Sequence, residues 1–257
     1  MSRSKSTPLS NFPDSPLAWL KHIPIAHRGL HGERGAVENS RAAVIAAAAA
    51  GYGSEVDVQL SADGQAMVFH DDRLARLTGR SGRCAALDAA TLRTIPLKGS
   101  SETIPRLVDI LGVMTPALPL LVELKNPSLR IGALEAAVAA DLAGYRGKAA
   151  VFSANPLSVA WFARHAPAIP RGLVITTLAR DHFFPCWAVR LIMYCPLLRA
   201  IAHPQFLAPD VGALPLAITR RARRRGRPVI TWTVRSPADR ARAARHADGI
   251  IFETFLP

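Results

Sequence analysis

The stretch Gly53–Asp71, with the sequence GSEVDVQLSADGQAMVFHD, predicts two short strands joined by a tight turn at its Asp-Gly pair. Residues in a strand alternate between its two faces, so Glu55 and Asp57 share one face while valines occupy the other. Two carboxylates among apolar neighbours are costly unless a cation or hydrogen-bond donors compensate for their charge. The second strand ends at His70, so the stretch predicts part of an active site, although a solvated strand face with a surface histidine has the same pattern.

Apolar runs with strand character alternate with helical patterns along the rest of the chain, and two of these patterns predict helices at 129–143 and 214–225. The hairpin strand aside, the predicted strands are 23–26, 55–58, 119–124, 149–152, 172–175, 206–208, 228–232 and 249–251. Strands that alternate with helices form parallel sheets, and eight such units at this length favour a closed barrel. We therefore predict an α/β fold, a single (β/α)8 TIM-type barrel, with residues 72–110 as a small insertion after the second strand.

The length of 257 residues fits one large domain, which we place at residues 21–257. Residues 1–20 are rich in Ser and Pro and lack the apolar core run of a secretory signal, so we predict a flexible N-terminal arm. No segment approaches the roughly 18 uninterrupted apolar residues of a membrane span. Three cysteines without C-x-x-C spacing predict reduced thiols, and therefore a cytoplasmic location.

The net charge of +13 comes mostly from arginine and favours anionic partners, which include phosphate substrates, acidic lipid surfaces and nucleic acid. The arginine-rich helix predicted at 214–225 could serve a basic binding module. A charge run on one helix is usually a solvated face, however, and the missing aromatic platform argues against nucleic acid. Segment 182–202 combines aromatic residues with two arginines, which is typical either of peripheral contact with an anionic membrane or of packing against the barrel.

Most candidate polar residues follow predicted strands at their C-terminal ends, where barrel enzymes carry their catalytic groups. The carboxylates Glu55, Asp57 and Glu123 suit a hard divalent cation such as Mg²⁺ or Ca²⁺, which prefers oxygen ligands. The absence of a Cys/His cluster argues against zinc. His27 and His70 beside that cation could act as general acid and base, because the ordinary pKa of histidine lies near neutrality.

Two cations complete the set, since Arg28 could bind a phosphate by a bidentate contact and Lys125 as a point charge. The combination predicts metal-assisted cleavage of a phosphodiester. Taken singly, each residue also has an ordinary structural interpretation. His27 could be a hydrogen-bonded histidine at a barrel end. The Glu123 and Lys125 pair could be a surface ion pair, and Trp232 could pack in the core.

Five stretches carry a resemblance to a known family. In chain order they are IAHRGLHGERGAVENS, GSEVDVQLSADGQAMVFHDDRLARLTG, IPRLVDIL, LLVELK and VITWTVRSPADRARAARHADGIIFE. Their His-Arg-Gly, Glu-Asn, Glu-x-Asp and His-Asp pieces are short but specific in combination. From about Ile23 to Glu253, nearly the whole domain, the chain resembles the glycerophosphodiester phosphodiesterases.

The resemblance implies a metal-dependent barrel enzyme that hydrolyses glycerophosphodiesters to glycerol-3-phosphate and an alcohol such as choline or ethanolamine. The resemblance implies that Glu55, Asp57 and Glu123 bind the metal and that His27 and His70 act as acid and base. It implies that Arg28, Lys125 and Trp232 bind the substrate. Glu38 and Asn39 are the implied supporting residues. We add Ser153, at the end of a predicted strand, as a further supporting residue.

Several alternatives stay open at this point. Either the glycerol hydroxyl attacks first and forms a cyclic phosphate, or water attacks directly. Segment 182–202 motivates the alternative of a lysophospholipase D-like activity on lysophospholipids at a membrane surface. Two positions also depart from the family pattern: Arg235, where many relatives have Asn, and the tail GIIFETF at 249–255, where relatives often have Asp. Both departures bear on the preference for the alcohol group.

Overall fold

The computed structural model describes residues 17–32, 36–176 and 195–257. Within these ranges, eight parallel strands form a nearly closed barrel, and a ninth strand pairs antiparallel with one of them. The strands are β1 (Ile25–Ala26), β2 (Gly53–Leu60), β3 (Ala66–Val68), β4 (Leu120–Leu124), β5 (Ala149–Ser153), β6 (Arg171–Ile175), β7 (Phe206–Pro209), β8 (Ile230–Val234) and β9 (Gly249–Phe252). They follow the order β7-β6-β5-β4-β2-β1-β9-β8, with β3 beside β2. The predicted barrel is confirmed.

β7 and β8, at the two ends of this order, are joined by two isolated parallel bridges, in which Leu207 pairs with Val229 and Asp210 with Trp232. Helices lie between the strands along the described chain. They are α1 (Arg41–Ala49), α2 (Ala75–Thr78), α3 (Ala89–Leu92), α4 (Leu107–Val113), α5 (Ala133–Ala143), α6 (Pro156–His165), α7 (Pro196–Ile201), α8 (Ala217–Arg224) and α9 (Pro237–His246).

Side-chain alternation along β2 decides which residues face the barrel interior. Val56 and Val58 pack in the apolar layer between the strands and the helices. Glu55 and Asp57 therefore project to the other face, and both are buried. The alternation predicted from the stretch Gly53–Asp71 is confirmed, and it places two acids inside an otherwise apolar barrel.

The N-terminal residues of the described chain belong to the barrel. Leu17 precedes a short 3-10 helix (Ala18–Lys21) and Leu20 lies within it, and both pack in the interior with Ile25 and Ile230. Both leucines fall within the predicted flexible arm 1–20, so the last part of that segment is packed. Residues 1–16 of the predicted arm lie outside the described residues.

The predicted insertion 72–110 contains α2, a short 3-10 helix (Cys84–Ala86), α3 and the first residues of α4. Its side chains pack around an apolar cluster of their own, which includes Leu74, Leu92 and Ile95. Leu107 and Ile110 of α4 pack instead against the barrel strands. The insertion therefore covers the hairpin of β2 and β3, and α4 returns the chain to the barrel.

Two predicted helices begin later than expected. The helix predicted from Leu129 begins as α5 at Ala133, after Gly132 with φ +128°, whose backbone N–H donates to Glu135 Oε2 at 2.7 Å. The helix predicted at 214–225 begins as α8 at Ala217, because Pro215 and extended Leu216 precede it. In both cases the backbone conformation before the helix delays its start, although the spacing of apolar residues predicts an earlier one.

Segment 182–202 is described only from residue 195 onward, where it forms α7. The rest of this predicted aromatic segment lies outside the described residues. Among the helices that the structure does describe, none is long and apolar enough to cross a membrane.

A substitution at Gly172 tests the packing of the barrel interior. A Cβ at this position would collide with the ring of Phe206, which is fully buried. We expect Gly172→Ala to lower the free energy of unfolding by about 1–3 kcal/mol, measured by urea denaturation. Gly112→Ala is the matched control, because a Cβ there meets open space on α4, and its effect should be neutral or stabilising. A cost for Gly172→Ala that does not shrink in a Phe206→Leu background would contradict this account.

Candidate active site

A cavity of about 450 Å³ opens at the C-terminal ends of the strands. His27 follows β1, His70 follows β3, and Glu123 and Lys125 lie at the end of β4, and all of them line the cavity. Trp232 on β8 lines it as well. The barrel thus brings together candidate residues that no local spacing connects.

Glu55, Asp57 and Glu123 form a compact carboxylate group, in which one oxygen from each residue lies within 4.8 Å of the others. The strand register explains this grouping, since Asp57 pairs with Glu123 across β2 and β4. Glu55 precedes Asp57 by two residues and projects from the same face. Glu55 and Asp57 form the buried side of the group, whereas Glu123 is half-buried and reaches the cavity.

The loop after β1 donates hydrogen bonds to this carboxylate group. The backbone N–H of Arg28, whose φ is +55°, donates to Glu55 Oε2 at 2.9 Å. Asn39 Nδ2 donates to Asp57 Oδ2 at 2.9 Å, and Asn39 Oδ1 accepts from the Asp57 backbone N–H at 3.0 Å. Because Asn39 both donates and accepts, an ionised Asp there could make only one of the two bonds. Asn39 also has a φ of +59°, which Asn adopts more readily than most residues.

Lys125 and Arg28 supply positive charge to the same group. Lys125 Nζ lies 2.7 Å from Glu123 Oε1 and 3.0 Å from Asp57 Oδ1, and Arg28 Nε lies 3.2 Å from Asp57 Oδ2. Burial alone would raise the pKa of Asp57, but Lys125 and the other cations hold it well below its usual range. Burial, and then the charges of Asp57 and Glu123, raise the pKa of Glu55 well above its usual range. The two neighbouring acids are therefore pushed in opposite directions.

The donor set fits a divalent cation. Glu55 Oε1 is buried and has no hydrogen-bond partner among the described residues, which is costly for a carboxylate oxygen. Three carboxylates converging on one point are the oxygen ligands that hard cations such as Mg²⁺ and Ca²⁺ prefer. A divalent cation would relieve the repulsion that raises the pKa of Glu55.

His70 is held by a chain of charged groups. Its Nδ1 lies 2.7 Å from Asp71 Oδ1, and Arg76 Nε donates to Asp71 Oδ2 at 2.5 Å. Arg76 also donates to Glu38, which accepts from Arg28 Nη1 at 2.8 Å. Burial alone would raise the pKa of Glu38, but Arg76 and Arg28 hold it below its usual range. Glu38 therefore links the loop that carries His70 to the turn that carries His27 and Arg28.

His27 lies between two carboxylates. Its Nε2 is 4.0 Å from Glu55 Oε2, and its Nδ1 is 3.5 Å from Glu253 Oε2. His31 Nε2 lies 3.2 Å from Glu253 Oε1, and Arg235 Nε donates to Glu253 Oε2 at 2.6 Å. Burial lowers the pKa of His27 although Glu253 acts in the opposite direction, and His27 and His31 hold the pKa of Glu253 well below its usual range.

Trp232 and Ser153, two other residues predicted for the site, differ in whether they line the cavity. Trp232 lines the cavity while its Nε1–H donates to the Ala208 carbonyl at 2.7 Å, so it is anchored to β7. Ser153 is buried, donates from Oγ to the Leu124 carbonyl at 2.8 Å and accepts from the Asn155 backbone N–H at 3.1 Å. Ser153 therefore fixes the end of β4 just before Lys125 rather than lining the cavity.

Several residues that contact the site were not assigned to it from the sequence. They are His31, Asp71, Arg76, Arg235 and Glu253. The sequence could have indicated that Asp71 contacts His70, since Asp71 directly follows it. No local pattern indicates that Glu253 contacts His27, because this contact depends on the pairing of β1 with β9. The two departures noted in the sequence, at Arg235 and in the tail 249–255, contact each other through the Arg235–Glu253 ion pair.

The fold and the site together describe a parallel barrel whose cavity is lined by two histidines and borders a carboxylate group that could hold a metal ion. Residues 27–254 match the Glycerophosphoryl diester phosphodiesterase family. The chain belongs to this family, and its enzyme class is that of the phosphoric diester hydrolases.

Individual relatives agree with this assignment. A Mycobacterium tuberculosis protein assigned as glycerophosphodiester phosphodiesterase 2 is 38% identical over 100 residues, which is 37% of each chain. A structure from Silicibacter pomeroyi, assigned to the glycerophosphoryl diester phosphodiesterases, has a TM-score of 0.74 at 26% identity and covers 92% of this chain and 93% of its own. An Oleispira antarctica phosphodiesterase, in complex with its product sn-glycerol-3-phosphate, has a TM-score of 0.74 at 21% identity and covers 93% and 95%. The last of these supports the fold alone.

Lys125 tests the charge balance of the carboxylate group. We expect Lys125→Met to lower the free energy of unfolding by about 3 kcal/mol in EDTA, because it removes the cation that two acids share. Adding Mg²⁺ or Ca²⁺ should raise the melting temperature of this variant more than that of the wild type. The exposed Lys148→Met is the control. If both variants are equally stable in EDTA, the charge balance described here is wrong.

Proposed function

We propose that this protein is a metal-dependent phosphodiesterase that hydrolyses glycerophosphodiesters to glycerol-3-phosphate and an alcohol. The observation that carries the proposal is the single cavity lined by two histidines, a lysine, an arginine and a carboxylate that belongs to a three-acid group. Family membership supports the substrate class. The relatives reported above do not favour the lysophospholipase D-like alternative.

In this proposal Glu55, Asp57 and Glu123 hold a divalent cation, either Mg²⁺ or Ca²⁺. The cation supplies Lewis-acid stabilisation of the charge that develops on the phosphate oxygens. Arg28 and Lys125 stay cationic, because the neighbouring carboxylates raise the pKa of both side chains against the effect of burial. Both line the cavity and can therefore neutralise the charge of a bound phosphodiester.

His27 and His70 would act as general acid and base. Asp71 holds His70 Nδ1, which leaves Nε2 for proton exchange with the substrate. His27 Nε2 faces the carboxylate group, so it can exchange a proton with an oxygen bound there. Glu38 and Asn39 support these groups by holding Arg28 and Asp57, and Trp232 forms part of the wall for the alcohol group.

Removal of either histidine tests the acid-base assignment. We expect His27→Asn and His70→Asn each to lower kcat by about 10²–10⁴-fold, because each removes a proton-transfer group. The measurement is release of glycerol-3-phosphate from a panel of glycerophosphodiesters with Mg²⁺, Mn²⁺ or Ca²⁺. A lysophospholipid in the panel covers the alternative, and ³¹P NMR shows whether a cyclic phosphate forms. The control is His165→Asn, since His165 is exposed on α6. Folded wild type that releases no product from any glycerophosphodiester would refute the proposal.

Glu123 tests the metal assignment. We expect Glu123→Gln to raise the concentration of divalent cation needed for half-maximal activity by at least about tenfold, because the site loses one of its negative charges. EDTA should abolish activity in both proteins, and excess cation should restore part of it in the variant. Glu102→Gln, which changes an acid paired with Arg41 outside the cavity, is the control. An unchanged metal requirement in Glu123→Gln would remove this residue from the metal site.

A further inference from the structure

A second group of metal-ligating side chains lies beside the carboxylate group. His27, His31 and Glu253 each offer one ligand atom, and these atoms lie within 4.8 Å of one another. The parallel pairing of β1 with β9 sets this arrangement, since His27 N–H donates to the Phe252 carbonyl at 2.9 Å. The register therefore places the residue after Phe252 next to His27. The turn after His27 then brings His31 back to the same carboxylate.

The separations within the group are those of metal ligands. A tetrahedral metal with ligands at about 2.0–2.2 Å separates its ligand atoms by about 3.3–3.6 Å. His27 Nδ1 lies 3.5 Å from Glu253 Oε2, and His31 Nε2 lies 3.2 Å from Glu253 Oε1. Both nitrogens are buried, and in the described part of the chain neither has a partner with hydrogen-bond geometry. Two buried nitrogens that face one carboxylate without good hydrogen-bond geometry form an arrangement that a metal ion would satisfy.

The ligand types distinguish this group from the carboxylate group. Two imidazoles and one carboxylate suit borderline transition metals such as Zn²⁺, whereas three carboxylates suit Mg²⁺ or Ca²⁺. Burial of His27 disfavours the protonated ring, and the neutral ring is the form that binds a metal. Arg235 holds Glu253 Oε2 from outside the group, which orients the carboxylate.

We propose that His27, His31 and Glu253 form a second metal site, specific for a transition metal such as Zn²⁺, and that its occupation inhibits the enzyme. The binding part of this proposal stands alone, whereas the inhibition rests on the proposed function. It also revises the expectation from the sequence that zinc is absent, because that expectation considered only local Cys/His clusters.

Inhibition follows from the chemistry of the imidazole ring. A ring bound to a metal through Nδ1 keeps its proton on Nε2. Nε2 of His27 then cannot accept a proton from a reacting oxygen. It also cannot donate one readily, since donation would produce an imidazolate rather than a neutral ring. Zinc at this site therefore stops His27 from acting either as base or as acid.

Binding is tested on the EDTA-treated full chain with Co²⁺ as a spectroscopic probe and Zn²⁺ in a competition titration. We expect one tetrahedral Co²⁺ spectrum that Zn²⁺ displaces. His31→Ala should weaken Zn²⁺ binding by at least about 100-fold, since loss of a residue that merely orients a ligand already costs 10–100-fold. Glu253→Gln provides a second variant should His31→Ala fold poorly. Asp57→Asn, which damages the carboxylate group, should keep the Co²⁺ spectrum.

Inhibition is tested at saturating Mg²⁺ with a glycerophosphodiester substrate. Zn²⁺ should inhibit the wild type, while His31→Ala, measured against its own activity without Zn²⁺, should require at least about 100-fold more Zn²⁺ for the same fractional inhibition. Equal Zn²⁺ sensitivity of both proteins, or a Co²⁺ spectrum that disappears in Asp57→Asn but not in His31→Ala, would overturn the second site. A His31-dependent Co²⁺ spectrum in a protein that hydrolyses no glycerophosphodiester would support the site and refute the proposed function.

Discussion

Compensation of buried negative charge is the constraint on which the rest of the site depends. Alternation along β2 places Glu55 and Asp57 in the barrel, and the register with β4 adds Glu123. Such a group is unstable without opposite charge or donors. Lys125, Arg28 and Asn39 meet this requirement. The pKa values of Glu55 and Asp57 shift in opposite directions because this compensation is unequal. Lys125 and Arg28 lie against Asp57. At Glu55, burial and the charges of the two neighbouring acids outweigh Lys125 and one backbone N–H.

This unequal compensation connects stability with function. A group that were fully neutralised by lysine and arginine would have little affinity for a metal ion. Here Glu55 keeps a buried oxygen with no hydrogen-bond partner in the described chain. The same cations that hold Asp57 ionised also line the cavity. Charges that stabilise the carboxylate group are thus placed where a phosphate can interact with them.

Much of the fold and of the site could be predicted, because the signals are local. The alternation at Glu55 and Asp57 and the strand ends at His27, His70 and Lys125 follow from sequence patterns of a few residues. Helix starts were less predictable, since the positive φ of Gly132 and the extended Leu216 override helical spacing. The roles assigned to individual site residues remain predictions that the experiments above address.

Contacts that depend on barrel closure could not be predicted from local patterns. Asp71 follows His70 directly, whereas Glu253 reaches His27 only because the last strand pairs with the first. Both carboxylates face an imidazole Nδ1 and both are held by an arginine, Arg76 in one case and Arg235 in the other. His70 and His27 therefore have similar surroundings, but those of His70 come from a sequence neighbour and those of His27 from the pairing of distant strands.

The Arg235–Glu253 pair shows why single departures from a family pattern are hard to interpret from sequence. Glu253 without a cation would place a further negative charge beside His27 and close to Glu55. Arg235, with Nε 2.6 Å from Glu253, offsets that charge from the outer side and leaves Oε1 directed at His31. Loss of either partner would change the charge balance around His27, whereas the pair together preserves it. The pair therefore acts as one unit that sets the environment of His27, and Arg235 also lines the cavity.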